Sequence, residues 1–209
     1  MLDLHRCSST LTATSVIEIK QYSASLRQEA VKVLADAFVA NPLHIAAFGA
    51  GRVDRNRLFF RIGLEHMFTG AAFVAVAGGK VRGYIHFNAS PRCLPPAEAI
   101  PAFAAERLQP VKEAVPRLIE WFSRWSRLDP EEPHAHLGPI GVAPEYQGQG
   151  IGAALMNRYV EHLEREGIEG YLETDRAGNV EFYKKFGFAV MREEKLIGVD
   201  TWYMRRPRG

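Results

Sequence analysis

Six consecutive residues, Gln147-Gly148-Gln149-Gly150-Ile151-Gly152, carry the strongest chemical signal in the sequence. Glycines strip side chains from the backbone, so its N–H groups can approach an anion closely. An amphipathic helical periodicity follows, and the first turn of such a helix leaves N–H groups without partners at the positive end of its dipole. A pyrophosphate is a natural ligand for that position. The dipole alone contributes only about 0.3–1 kcal/mol at an exposed site, so direct N–H contacts must supply the rest. Other phosphate motifs fit less well. No lysine follows the glycines as a P-loop needs, and one acidic residue on the next strand does not make a dinucleotide fingerprint. A tight turn without a ligand is the bland alternative.

Two further segments add chemistry. Leu137-Gly138-Pro139-Ile140-Gly141-Val142 is apolar yet contains a proline and two glycines. Pro139 cannot donate to a sheet ladder and Gly141 favours a bulge, so this strand is expected to part from its neighbour. An amide-rich arm such as pantetheine could then add to the open backbone much as an extra strand would. The alternative is an edge strand with irregular ends. In Asn179-Val180-Glu181-Phe182-Tyr183-Lys184-Lys185-Phe186-Gly187-Phe188, Asn179 is a plausible N-cap of a short helix. Phe182 and Phe186 lie one turn apart on one face, and Tyr183 points elsewhere. Its hydroxyl could protonate a departing thiolate as a general acid, or be a structural tyrosine with a satisfied hydroxyl.

Taken together, these segments resemble the GNAT superfamily of N-acetyltransferases. Residues 147–152, following Ile140-Gly141-Val142-Ala143-Pro144, look like its acetyl-CoA motif, and residues 182–188 look like its short helix after the fifth strand. Leu172-Glu173-Thr174 and Thr201-Trp202-Tyr203-Met204 also resemble puromycin N-acetyltransferase and its relatives. The specific match covers about residues 134–206; the N-terminal half fits only in its order of elements. The resemblance implies an α/β (α+β) fold with a mixed, mostly antiparallel central sheet, helices on both faces and a strand splayed at the CoA site. It implies acetyl-CoA as acyl donor, with Ile140, Gly141 and Val142 on the pantetheine. Gln147, Gly148, Gln149, Gly150, Ile151 and Gly152 would cradle the pyrophosphate, Asn179 would contact the CoA arm, and Tyr183 would protonate the thiolate. In many members the asparagine stands farther ahead of the tyrosine than Asn179 does.

Acetyl transfer to an amine also needs a base. Glu173 is the first candidate, on the strand expected beside residues 134–142 and on one face with Tyr171; a carboxylate merely pairing with a nearby base is the alternative. His136 is the second, with an imidazole suited to neutral pH. No metal and no nucleophilic triad is implied, since Cys7 and Cys93 lie outside the motif and lack zinc-site spacing. A small primary amine is the expected acceptor, with a peptide N-terminus or lysine as runner-up. A non-catalytic acyl-CoA-binding module and a protein holding ATP or NAD are the competing classes.

The elements that must position these groups read as follows. Residues 16–20 alternate as a first strand, and residues 26–38 have helical spacing that Asn41-Pro42 ends. Residues 58–67 read as a second helix with Asp54 as N-cap. Residues 72–77 and 81–87 form a hairpin over Gly78-Gly79. Residues 90–100 are a proline-rich loop, and 102–128 are helical with interruptions at Pro110 and Pro116. The stripe of Leu118, Trp121, Phe122 and Trp125 reads as packing on the sheet, with a cleft wall as its other use. Strand 134–142 leads into helix 150–166, with Ala153, Met156, Val160 and Leu163 buried, Glu161 paired with Arg165, and Gly167 as stop. Strand 168–174, helix 179–186, and strands 188–198 and 201–205 complete the order. Of the 209 residues, 47% are hydrophobic and 24% charged, ordinary for one globular domain with a real core. The domain is expected over 16–209, after a flexible N-terminus at 1–15. A net charge of +2 gives no case for nucleic acid, and the arginines at 205, 206 and 208 read as a solvated tail. No apolar run reaches membrane-spanning length. Two cysteines suit a reducing cytoplasm. A monomer or homodimer is expected.

Overall fold

The computed structural model describes residues 17–90 and 93–209. The expected flexible segment 1–15, Val16 and Cys7 lie outside the described residues. Seven strands form one sheet in the order β1-β2-β3-β4-β5-β7-β6. They are β1 Glu18–Gln21, β2 Ala71–Ala77, β3 Lys80–Ala89, β4 His134–Val142, β5 Glu169–Thr174, β6 Ala189–Leu196 and β7 Val199–Arg206. Every pairing is antiparallel except β4 with β5. The helices are α1 Arg27–Phe38, α2 Pro42–Phe48, α3 Val53–Ile62, α4 Ile100–Arg107, α5 Val115–Leu128, α6 Ile151–Glu166 and α7 Ala177–Lys184. One apolar cluster joins α1, α2, α3 and α5 to one face of the sheet, and a second joins α6 and α7 to the other. Among the described residues no single helix is long and apolar enough to cross a membrane.

The one parallel pairing is short. It runs from His134 opposite Glu169 to His136 opposite Tyr171 and stops there. Beyond it, residues 137–142 and 172–174 part, as the proline and glycines of β4 imply. The buried Tyr159 on α6 clamps the last shared rungs: its hydroxyl donates to Ala135 O at 2.5 Å and accepts from Tyr171 N at 3.3 Å. On the other side of β4, Ile140 faces Ile85 and Leu137 faces Phe87, so His86 alone opposes Gly138 and Pro139. The bulge therefore lies at Gly138-Pro139 and not at Gly141. It inverts the strand's alternation, because Leu137 and Ile140 both pack on the α6 side. Gly141 has a different task. A Cβ there would sit 3.1 Å from Leu34 Cδ2 and 3.2 Å from Ala37 Cβ, so its bare backbone lets α1 close onto the sheet.

Several local expectations are corrected. Asn41-Pro42 ends α1 but also starts α2: the Asn41 side chain accepts from His44 N at 3.2 Å, with Pro42 in the first turn. Asp54 is not the cap of α3; that position is Arg52, which Asp54 binds at 2.7 Å. Pro116 opens α5 instead of interrupting a helix. The buried face of α6 is Ile151, Leu155, Met156, Tyr159 and Leu163, and Glu161 pairs with Arg158 rather than Arg165. Asn179 is not an N-cap, since α7 already begins at Ala177.

Candidate active site

The gap between β4 and β5 opens into a cavity of about 690 Å³ on the α1/α5 face, lined by Ile140, Glu173, Asn179 and Tyr183 together with α5 aromatics. His136 and Glu173 meet across the two strands, Nε2 to Oε2 at 2.7 Å, with 4% and 1% of their side chains exposed. The other ring nitrogen of His136 lies 2.7 Å from Asp129 Oδ1. An imidazole held between two carboxylates must donate from both nitrogens, which makes it an imidazolium. Burial opposes that charge, but Glu173 and Asp129 outweigh it and push the His136 pKa up to about 10. Burial pushes the Glu173 carboxyl up against the pull of His136. Its second oxygen, Oε1, is buried with no partner. The site thus holds a desolvated carboxylate with one oxygen tethered and one open, which suits taking a proton.

Tyr183 is 5% exposed and lines the same cavity. Burial pushes its phenol well above the ordinary value, and Asp175 adds to this, so it keeps its proton throughout the neutral range. Asn179, half-buried inside α7, also reaches the cavity. Asp175, at the end of β5, accepts from Asn41 Nδ2 and from Leu43 N, each at 2.7 Å. That latch fixes the start of α2 on the strand carrying Glu173.

The residues expected to hold acetyl-CoA fit it by two observations. First, the gap beyond His136 leaves one edge of β4 unpaired by β5, next to the cavity. Second, Gly148 and Gly150 adopt φ of +75° and +83°, and a Cβ on either would meet nothing within 4 Å. The turn is exposed at the head of the 16-residue α6. Among the described backbone hydrogen bonds none is donated by Gly148, Gln149 or Gly150. The turn is braced from below, where Gln147 Nε2 donates to Val142 O at 3.1 Å and Gln149 Nε2 donates to Glu145 O at 3.2 Å. An anion at this helix start would find several free N–H groups and the dipole together.

Four participants were not singled out from the sequence. Asp129, read only as part of a turn, holds His136 and also lies 3.2 Å from His134 Nε2. His134 and His136 share a strand face, which the period of two could have revealed. Cys93, set aside as remote, lines the cavity. With Asp129 and His134 it brings ligand-type atoms within 4.8 Å of one another, a grouping that could hold a metal ion and that the sequence did not suggest. His86 also faces the cavity, opposite the bulge.

Comparisons with known proteins identify the family and the fold. A model of the Acetyltransferase (GNAT) family matches residues 40–188, which includes α2, α3 and the β2–β3 hairpin as well as the motif-bearing half. A mycothiol acetyltransferase of Paenarthrobacter aurescens is 35% identical over 84 residues, covering 37% of this chain and 26% of that protein. The N-alpha-acetyltransferase RimI of Mycobacterium tuberculosis is 37% identical over 93 residues, 42% of this chain and 56% of RimI. The chain thus spans about a quarter to a half of these relatives. A solved structure described as histone acetyltransferase HPA2 and related acetyltransferase, from Corynebacterium glutamicum, superposes with a TM-score of 0.69 at 18% identity, covering 92% of this chain and 97% of that one.

Proposed function

Because the chain belongs to the GNAT acetyltransferase family, we propose that it moves the acetyl group of acetyl-CoA onto a primary amine of a small molecule by direct attack. The observation that carries this is one cavity lined both by Ile140 and Glu173 at the β4–β5 gap and by the aromatic side chains of α5. Bound acetyl-CoA supplies an activated thioester and a thiolate leaving group. The backbone of residues 140–142 holds the pantetheine, and residues 147–152 hold the pyrophosphate. Glu173 takes the proton of the incoming ammonium on Oε1, while His136 and Asp129 keep the carboxylate in position. A backbone N–H at the β4 bulge stabilises the oxyanion. Tyr183 donates to the departing sulfur. Fixing both reactants in line contributes up to ~7–11 kcal/mol of the barrier reduction.

The resemblance to RimI supports a second reading, in which the acceptor is the N-terminal amine of a peptide. One experiment separates these and tests the whole: acetyl-CoA is incubated with small amines and with short peptides, and free thiol and acetylated product are followed. Acetylated small amine supports the proposal. Acetyl-CoA binding without transfer to any amine would make the chain a binding module instead.

A further inference from the structure

Antiparallel neighbours such as β3 and β4 need only a short turn to join them, yet residues 90–133 intervene. The two ends of this segment meet at the start of β4. Ser90 N donates to His134 O at 2.9 Å, and His134 N donates to Ser90 Oγ at 2.9 Å. Three side chains converge there. Cys93 comes from the first end of the segment, Asp129 from the turn after α5, and His134 from the first position of β4. A ring nitrogen of His134, the Cys93 sulfur and a carboxylate oxygen of Asp129 lie within 4.8 Å of one another. Cys93 is 4% exposed, and the His134 and Asp129 side chains are 2% and 16% exposed.

Each of these groups is already aimed by a further partner. His134 Nδ1 lies 2.8 Å from Glu132 O; a carbonyl only accepts, so Nδ1 carries a proton. Nε2, 3.2 Å from Asp129 Oδ1, is then the nitrogen whose lone pair can be given to a metal. Asp129 Oδ1 accepts from His136 Nδ1 at 2.7 Å. Asn88 Nδ2 donates to Cys93 O at 2.9 Å and holds that backbone. Metal-ligating imidazoles and carboxylates carry outer partners of this kind. Pro130 and Pro133 stiffen the turn that presents Asp129 and His134. The thiol, in contrast, makes only long contacts, 3.7 Å to Asn88 O and 3.9 Å to His134 O.

From this convergence we propose that Cys93, Asp129 and His134 bind one zinc(II) ion, with a water as fourth ligand, and that the ion clips together the two ends of the 90–133 segment. Tetrahedral zinc sets its nitrogen and oxygen ligands about 3.3 Å apart and its sulfur about 3.6 Å from either. The His134–Asp129 distance of 3.2 Å matches the first value, and a shift of the Cys93 sulfur by about 1 Å closes the set. Thiolate with imidazole selects a borderline-soft ion over magnesium or calcium. Zinc takes the place of the proton between His134 Nε2 and Asp129; that proton and the thiol proton of Cys93 leave to solvent. A clip at these ends restrains the segment that lends Leu94, Phe103, Trp121 and Trp125 to the cavity lining. The site is independent of the acetyl-transfer reading.

The test uses the full chain with Cys7→Ser, so that Cys93 is the one thiol. The protein is stripped with chelator, desalted, and titrated with zinc against a chromophoric chelator and separately with cobalt(II). One zinc per chain should bind with a Kd of about 1 μM or tighter. Cobalt should show a thiolate-to-metal charge-transfer band together with the intense visible bands of a tetrahedral ion. Zinc at a hundred times its Kd should raise the Tm by about 5–10 °C and slow hydrogen exchange at both ends of the segment. Cys93→Ala and His134→Gln, each added to this background, should weaken zinc by at least about 100-fold. The cobalt spectrum needs neither of these variants and decides the matter should they fail to fold. No zinc binding, cobalt bound without the thiolate band, equal affinity in folded Cys93→Ala, or zinc that leaves melting and exchange at the two ends unchanged would each overturn the proposal.

Discussion

Replacing Glu173 by glutamine keeps the side chain's shape and removes the charge that His136 Nε2 meets at 2.7 Å. Charge centres about 4 Å apart in an effective dielectric of about 20 interact by ~4 kcal/mol, which corresponds to about 3 pKa units. His136, held at about 10 against burial, should therefore titrate near about 7 in the variant, with Asp129 still in place. A histidine whose pKa is raised from 6.5 to about 10 stabilises the fold fully below pH 6.5, and this contribution is lost as the pH climbs through 10. The wild type should lose melting temperature over that window, and Glu173→Gln should lose much less. Transfer to an accepted amine should fall by ~100-fold or more, because the proton acceptor is gone. The KM for acetyl-CoA should hardly change. Histidine-selective NMR titration, melts at pH 6, 8 and 10, and initial rates read these effects. A His136 pKa still near 10 in the variant would refute the electrostatic reasoning, and wild-type turnover across the pH range would remove Glu173 as base.

Two more perturbations probe neighbouring parts of the site. Tyr183→Phe keeps the ring packing against Phe182 and Phe188 but removes the donor, so turnover should fall ~100-fold at saturating acetyl-CoA. Unchanged turnover with chemistry rate-limiting leaves the sulfur to water or backbone. Gly141→Val forces methyl groups toward Leu34 and Ala37, where a Cβ is already at 3.1–3.2 Å; it should cost about 1–3 kcal/mol, measured by denaturant unfolding. A neutral result would mean that α1 has room to move off the sheet.

How much of this could be read from the sequence varies with the kind of signal. The bounds of β4 and the end of α6 followed from punctuation that has one meaning, such as Gly167 with φ +62° at the helix C-cap. The parting of β4 from β5 followed from Pro139, which cannot donate to a ladder. Punctuation with two meanings misled. Pro42 stops one helix and starts another, and Gly141 proved to serve a helix contact instead of the bulge. The start of α7 was misplaced because Arg176 at its cap position makes no side-chain bond that a sequence could advertise. Glu173 could be chosen because it lies on the strand beside residues 134–142 and shares a face with Tyr171, and His136 because an imidazole suits neutral pH. Asp129, the partner of His136, could not, since it comes from a turn whose path no periodicity fixes. The Asn41–Asp175 latch joins residues 134 positions apart and is visible only once the sheet is assembled.

In the proposed function, acetyl-CoA is held by the free N–H groups of the glycine turn and the open edge of β4. Titration calorimetry of acetyl-CoA, in buffer with chelator, into wild type and Gly150→Asp tests it most directly. Gly150 sits at φ +83° over open space at the head of α6, so aspartate there adds a negative charge where the pyrophosphate would lie. The wild type should bind acetyl-CoA 1:1, and binding should be lost in a variant that still melts cooperatively. Equal affinity in a folded Gly150→Asp, or no binding by the wild type, would contradict it.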